Sequence, residues 1–296
     1  MSERLALLLL LLAPLPPAAG QTLRATTSLV LVPVSVTDQR GATVNGLDRT
    51  NFTVFEDKLP QRIVAFSAED APCSVGLILD ASGSMQDRLA AAKAALRAFL
   101  ANANLEDEAF LLTVSSYPQV SSGFTRDLGT LAGVLPFTQA SGSTALIDTI
   151  FAGLGRMQSA THSRRALLII SDGMDNHSRH SRTELLRFVM EADVPIYTIA
   201  VDAHVRSKKA IELTEERRGL ALLQDLSERT GGLHFVISDG GDADRVVAQA
   251  VLALRNQYVL AYHPVERDLP GKWHSIYVKL NVAHTNVSAR SGYYSR

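Results

Sequence analysis

The run Val75-Gly76-Leu77-Ile78-Leu79 constrains this chain most, because an uninterrupted apolar strand has to be buried on both faces. Helical spacing follows at Leu89, Ala92, Leu96, Phe99 and Leu100. The alternation then repeats. Residues 110–114 read as a strand, and Leu146, Ile147, Ile150, Phe151, Leu154 and Met157 as a helix. Residues 166–170 form the next predicted strand, 183–191 a helix and 195–201 a strand. Leu222, Leu223 and Leu226 mark a helix that stops at Gly231-Gly232. A strand at 234–237 and a helix through Val246, Val247, Ala250, Val251 and Leu254 complete the series. Strands that alternate with helices predict the α/β class, as a doubly wound, mainly parallel sheet over residues 72–256.

The flanks read differently. Residues 28–38 are rich in β-branched side chains and predict a strand, with Pro33 pointing to an edge position. Further strands are expected at 52–56 and 62–66, separated by a turn at Asp57-Lys58. Residues 21–71 therefore form a β arm without helical period. The tail, 257–296, returns to β at 258–263, 274–282 and 286–289, and is expected to pair with the arm in a small β unit. Residues 1–20 have a different pattern. Arg4, the apolar stretch 5–13, and then prolines and small residues up to Gly20 form the n-region, h-region and cleavage pattern of a secretory signal. That apolar stretch is too short to span a bilayer, and no later segment is long and apolar enough to do so. The chain is expected to be exported, to a periplasm or the medium. Its single cysteine, Cys73, favours a bacterial setting over a disulfide-rich animal one.

One cysteine also excludes thiolate metal sites. With 29 basic and 30 acidic residues, the net charge of -1 offers no footprint for nucleic acid.

Ligands of open α/β sheets bind at the carboxyl ends of the strands. The first strand of the series ends in Asp80-Ala81-Ser82-Gly83-Ser84, one carboxylate and two hydroxyls on a tight loop. The strand at 166–170 ends in Ser171-Asp172-Gly173, a second carboxylate at the same edge. Between them, Ser141-Gly142-Ser143-Thr144 opens a helix and brings a third hydroxyl, Thr144. Such an all-oxygen set suits a hard divalent cation, magnesium or manganese. Five groups with two carboxylates leave a coordination position open to an outside carboxylate.

These residues resemble the metal-ion-dependent adhesion site of von Willebrand factor type A domains. The resemblance covers residues 72–256 and extends in the flanks to the exported bacterial proteins related to that family. It implies a Rossmann-like fold. It also implies that Ser82, Ser84 and Thr144 hold the ion through hydroxyls, while Asp80 and Asp172 act mostly through water. Ser143 departs from the family's frequent Gly-Gly-Thr loop. The implied function is a metal-dependent adhesion module that captures an acidic group of a protein or cell-surface ligand. An alternative is an assembly module in which the metal only orders the loops.

Other residues receive plainer readings. His177, His180 and Asp172 could form a zinc set, but 174–180 reads rather as a polar surface loop. Asp148 is expected to be solvated or capping. The charge run 206–218 is expected to be a solvated loop or helix face. No G-x-S-x-G elbow surrounds Ser82, and no nucleophile–base–carboxylate set falls on the predicted strand ends, so a non-enzymatic module is expected.

Overall fold

A computed structural model describes residues 29–68, 70–201, 210–238, 242–264 and 270–295, without the side chains of 210–213. The leader pattern at 1–20 and the start of the charge run, 206–209, lie outside the described residues. Among the described residues no helix is long and apolar enough to cross a membrane.

A six-stranded sheet forms the centre. Its strands are β5 (Cys73–Asp80), β6 (Glu108–Val114), β7 (Gln119–Thr125), β8 (Arg164–Ser171), β9 (Ile196–Val201) and β10 (His234–Ile237), in the order β10-β9-β8-β5-β6-β7. All neighbours are parallel except β6 and β7. Period-two side chains split the core into two layers. Val75, Leu77 and Leu79 of β5 pack with α1 (Leu89–Ala101), α2 (Leu128–Val134) and α6 (Ala243–Arg255). Ile78 of β5, with Phe110 and Leu112 of β6, packs on the other side with α3 (Leu146–Arg156), α4 (Arg182–Ala192) and α5 (Ala210–Thr230). This is the doubly wound, mainly parallel sheet that the apolar runs predict.

The two ends of the chain meet in two antiparallel four-stranded sheets. One has the order β13-β1-β11-β4, from β1 (Val30–Asp38), β4 (Ile63–Ser67), β11 (Tyr258–Tyr262) and β13 (Thr285–Ala289). The other has the order β14-β12-β2-β3, from β2 (Phe52–Glu56), β3 (Leu59–Gln61), β12 (Trp273–Leu280) and β14 (Gly292–Tyr294). Val32, Val34, Leu260 and Tyr262 of the first pack with Phe52, Val54, Ile276 and Val278 of the second. Pro33 is not on an edge strand: β1 lies between β13 and β11. Its place is tolerated because β13 joins β1 only from Val34 onward, one residue past the missing N–H. The strand expected at 62–66 is β4, shifted by one residue, and the short β3 before it is an addition to the expected strands.

This β unit docks on the edge where the central strands begin. The Tyr197 hydroxyl, near the start of β9, meets Ser35 Oγ at 3.3 Å and accepts from Gln257 at 2.7 Å. Burial holds Tyr197 well above the usual tyrosine range, so its hydroxyl remains a donor. Ser288 donates to the Gly232 carbonyl at 2.8 Å, and Arg290 pairs with Asp193. The opposite edge, where β5 and β8 end, stays open to loops. Strand order reverses there, because β5 is flanked by β6 on one side and β8 on the other.

Candidate metal centre

Three loops meet at that open edge, and backbone bonds lock them together. The Gly83 N–H donates to the Gly142 carbonyl at 3.0 Å, and the Ser141 N–H to the Ala81 carbonyl at 2.9 Å. The Ser141–Thr144 loop also rests on the end of β6. Ser115 Oγ donates to the Ser141 carbonyl at 3.0 Å, and Ser116 Oγ accepts the Ser143 N–H at 3.1 Å. Gly142 has φ +78°, and a Cβ there would lie 2.6 Å from Ser116 Oγ. Ser115 and Ser116 carry no metal-ligand pattern, so sequence reasoning passes over them.

Asp80 forms the floor and is fully buried. One carboxylate oxygen accepts from Ser82 Oγ at 2.7 Å and from the Ser82 N–H at 3.0 Å. The other accepts from Ser171 Oγ at 2.5 Å. Ser84 is exposed above, its hydroxyl 3.1 Å from that of Ser82. Burial, and then the nearby Asp172 carboxylate, push Asp80 up to about 6 against the bonds from Ser171 and Ser82. Ser171, which precedes Asp172 in the same motif, joins the ends of β5 and β8.

Thr144 is buried at the start of α3, and the 174–180 loop is stitched onto it. Asn176 Oδ1 accepts the Thr144 N–H at 2.9 Å, and the Thr144 carbonyl accepts from the N–H groups of Asn176 and His177 at 3.0 Å. Asp175 accepts the Ile147 N–H at 2.8 Å, and Ser178 Oγ accepts that of Asp148 at 3.0 Å. The loop thus satisfies the orphan donors of the first turn of α3.

Asp148 is neither solvated nor a cap of its own helix. It is buried, and it accepts from the backbone of Arg179 and His180 and from His180 Nδ1 at 2.7 Å. Burial alone would raise its pKa. The bonds from His180 and from the Arg179 and His180 backbone outweigh burial and hold it below the usual carboxylate range. His180 also stacks on Phe151, with ring centroids 4.2 Å apart. The zinc reading finds no grouping: His180 is held by Asp148, Asp172 is held elsewhere, and no three His, Cys, Asp or Glu side chains converge on a metal position among the described residues.

Asp172 meets an unforeseen partner. Arg88, in the turn before α1, donates from Nη1 to Asp172 Oδ2 at 2.8 Å, while its Nη2 pairs with Glu216 of α5. The other Asp172 oxygen accepts the Met174 N–H at 3.0 Å. Glu216 belongs to the charge run expected to be a solvated face, yet it is buried against Arg88. Close backbone contact brings it there. Gly173 has φ +77°, and a Cβ on it would lie 2.3 Å from the Gly219 carbonyl oxygen. The separation of 128 residues between Arg88 and Glu216 left no signal in the sequence.

The five predicted residues thus lie on three loops tied to one another. Two are buried carboxylates, and the hydroxyls of Ser82, Ser84 and Thr144 complete an oxygen-only set. A hard cation fits this chemistry, because Asp80 and Asp172 repel each other across a water-poor floor.

Comparison with known proteins bears on the fold. Residues 75–174 match the sequence model of the von Willebrand factor type A domain. That segment is similar to the von Willebrand factor type A family over about a third of the chain. No curated protein matches the sequence. Among solved structures, a von Willebrand factor type A protein from Catenulispora acidiphila is similar over 92% of this chain and 75% of its own, at 10% identity and TM-score 0.51. The corresponding domain of the type V pili tip protein Mfa5 from Porphyromonas gingivalis is similar over 62% of this chain and 95% of its own, at 13% identity and TM-score 0.50. At such identities the likeness concerns the fold. The matched segment of the type A domain runs from β5 to just past β8 and so contains Asp80, Ser82, Ser84, Thr144 and Asp172.

Proposed function

We propose that this chain is an exported binding module that captures an acidic side chain of a protein or cell-surface partner through a divalent cation, magnesium or manganese. Asp80, Ser82, Ser84, Thr144 and Asp172 would hold the ion, which supplies an electrophilic contact for the partner's carboxylate. The observation that carries this reading is the locked meeting of three loops around a buried carboxylate pair. The rim above the pair, at Gly83, Ser84, Ser141 and Gly142, is exposed, so an outside group has access. The type A domain is a protein–protein interaction fold, which agrees with capture rather than catalysis. Export rests on the leader pattern at 1–20.

The test is capture from an envelope extract on immobilised protein, with magnesium and with EDTA, for wild type and Asp80→Ala. Capture that needs both magnesium and Asp80, with unchanged far-UV circular dichroism, is the expected result. Capture that survives EDTA and the substitution contradicts it, and favours a partner docked on the β unit instead.

A further inference from the structure

Arg88 stands apart from the oxygen set and yet is bound into it. Its side chain is buried, with one nitrogen on Asp172 and another on Glu216. One of the two carboxylates of the site therefore has a cation of the protein's own. Arginine stays charged at any working pH and cannot leave by losing a proton. An ion entering above Asp172 meets this positive charge across a medium that screens poorly.

We propose that Arg88 is the resident counter-charge of the metal site and sets its affinity. It offsets Asp172, so that the site holds its ion loosely enough to depend on ion supply. Glu216 in turn tempers Arg88 and carries the effect to α5, which touches the same loop at Gly219 against Gly173. This inference rests on the metal reading above. A strap that is merely structural gives one sign: loosening it at either end disturbs the loop and weakens the ion. A charge-setting residue gives two. Removing the positive charge tightens binding, and removing the negative charge that tempers it weakens binding.

Calorimetric titration with magnesium chloride alone, with circular dichroism as the folding control, separates these. Arg88→Gln should lower the magnesium Kd about tenfold, and Glu216→Gln should raise it about threefold or more. Arg88→Lys keeps the charge and should stay within about threefold of wild type. Unchanged or weakened binding in a folded Arg88→Gln overturns the proposal. If that variant does not fold, Arg88→Met and Glu216→Gln decide: tighter binding in the first supports it, and unchanged or weaker binding in the first, or an unchanged Glu216→Gln, overturns it. A wild type that takes up no magnesium removes the metal reading itself. A wild type that binds, with variants that do not differ from it, removes only the role of Arg88.

Discussion

Two buried acidic centres sit in different parts of the molecule, Glu56 in the β unit and Asp80 at the open edge of the central sheet. Glu56 is closed in by donors. The hydroxyls of Tyr262 and Tyr293 both donate to one of its oxygens, the latter at 2.9 Å. His274 Nδ1 lies 4.0 Å from the other oxygen and 2.9 Å from Asp57. Burial, and then the bond to Glu56, hold both phenols far above the usual tyrosine range, so they remain donors. Asp80 is just as deep, but its donors are hydroxyls whose neighbours reach the surface, and the carboxylate beside it carries the same sign. Burial alone therefore does not set the two acids apart. What lies above the acid does: side chains of the core in one case, exposed hydroxyls in the other.

The contrast breaks most visibly at Glu56. Glu56→Ala leaves two buried phenols without their acceptor and should cost about 3–5 kcal/mol. Denaturant unfolding checks the loss, and magnesium uptake by the folded fraction should not change. A cost of similar size is expected at the open edge for Gly173→Ala. Its left-handed backbone adds about 1–2 kcal/mol, and the contact with Gly219 adds more. Here the loss of stability should be accompanied by weaker metal uptake, because the Asp172 loop moves.

A third expectation concerns Asp148 and has a pH signature. Its folded pKa is depressed below 3.8, so the stability it supplies is present above that value and is lost as pH falls through the folded pKa. Asp148→Asn should cost about 1–2 kcal/mol near neutral pH. The unfolding curves of variant and wild type should converge below pH 3.8. A constant difference across that range would contradict the assignment. The smallest effect on stability falls at the floor of the site. Asp80→Asn removes one of two repelling charges and keeps the side chain's shape, so metal-free stability should shift by less than about 1 kcal/mol or rise. A large loss would make Asp80 a structural acid of the Glu56 kind.

The sequence disclosed the central sheet because its strands are apolar on both faces and its helices carry strong periodicity. It hid β7 and α2. β7 is an exposed antiparallel edge built from Ser121, Ser122 and Gly123, and α2 is a seven-residue helix with two glycines, Gly129 and Gly133. Both depend on packing against β6 and α1 more than on their own pattern. The five oxygen residues could be read because each closes a strand or opens a helix at a predictable edge. Ser171 could have been read with them, since it precedes Asp172 at the end of the same strand. Arg88 and Glu216 could not, because their meeting follows from the close approach of Gly173 and Gly219, which no local spacing records. Asp148 departs from its expected place because a carboxylate in the first turn of a helix ordinarily faces water, and here the 174–180 loop covers it.

The central claim is that the three loops form one cation site, and Thr144 tests it most directly, since it is an uncharged member of the set. Magnesium titrated into wild type by calorimetry should give a saturable heat for one ion per chain. In Thr144→Ala that heat should vanish or weaken by at least about tenfold, with far-UV circular dichroism unchanged. Equal heats in the two proteins, or none in wild type, would contradict the account.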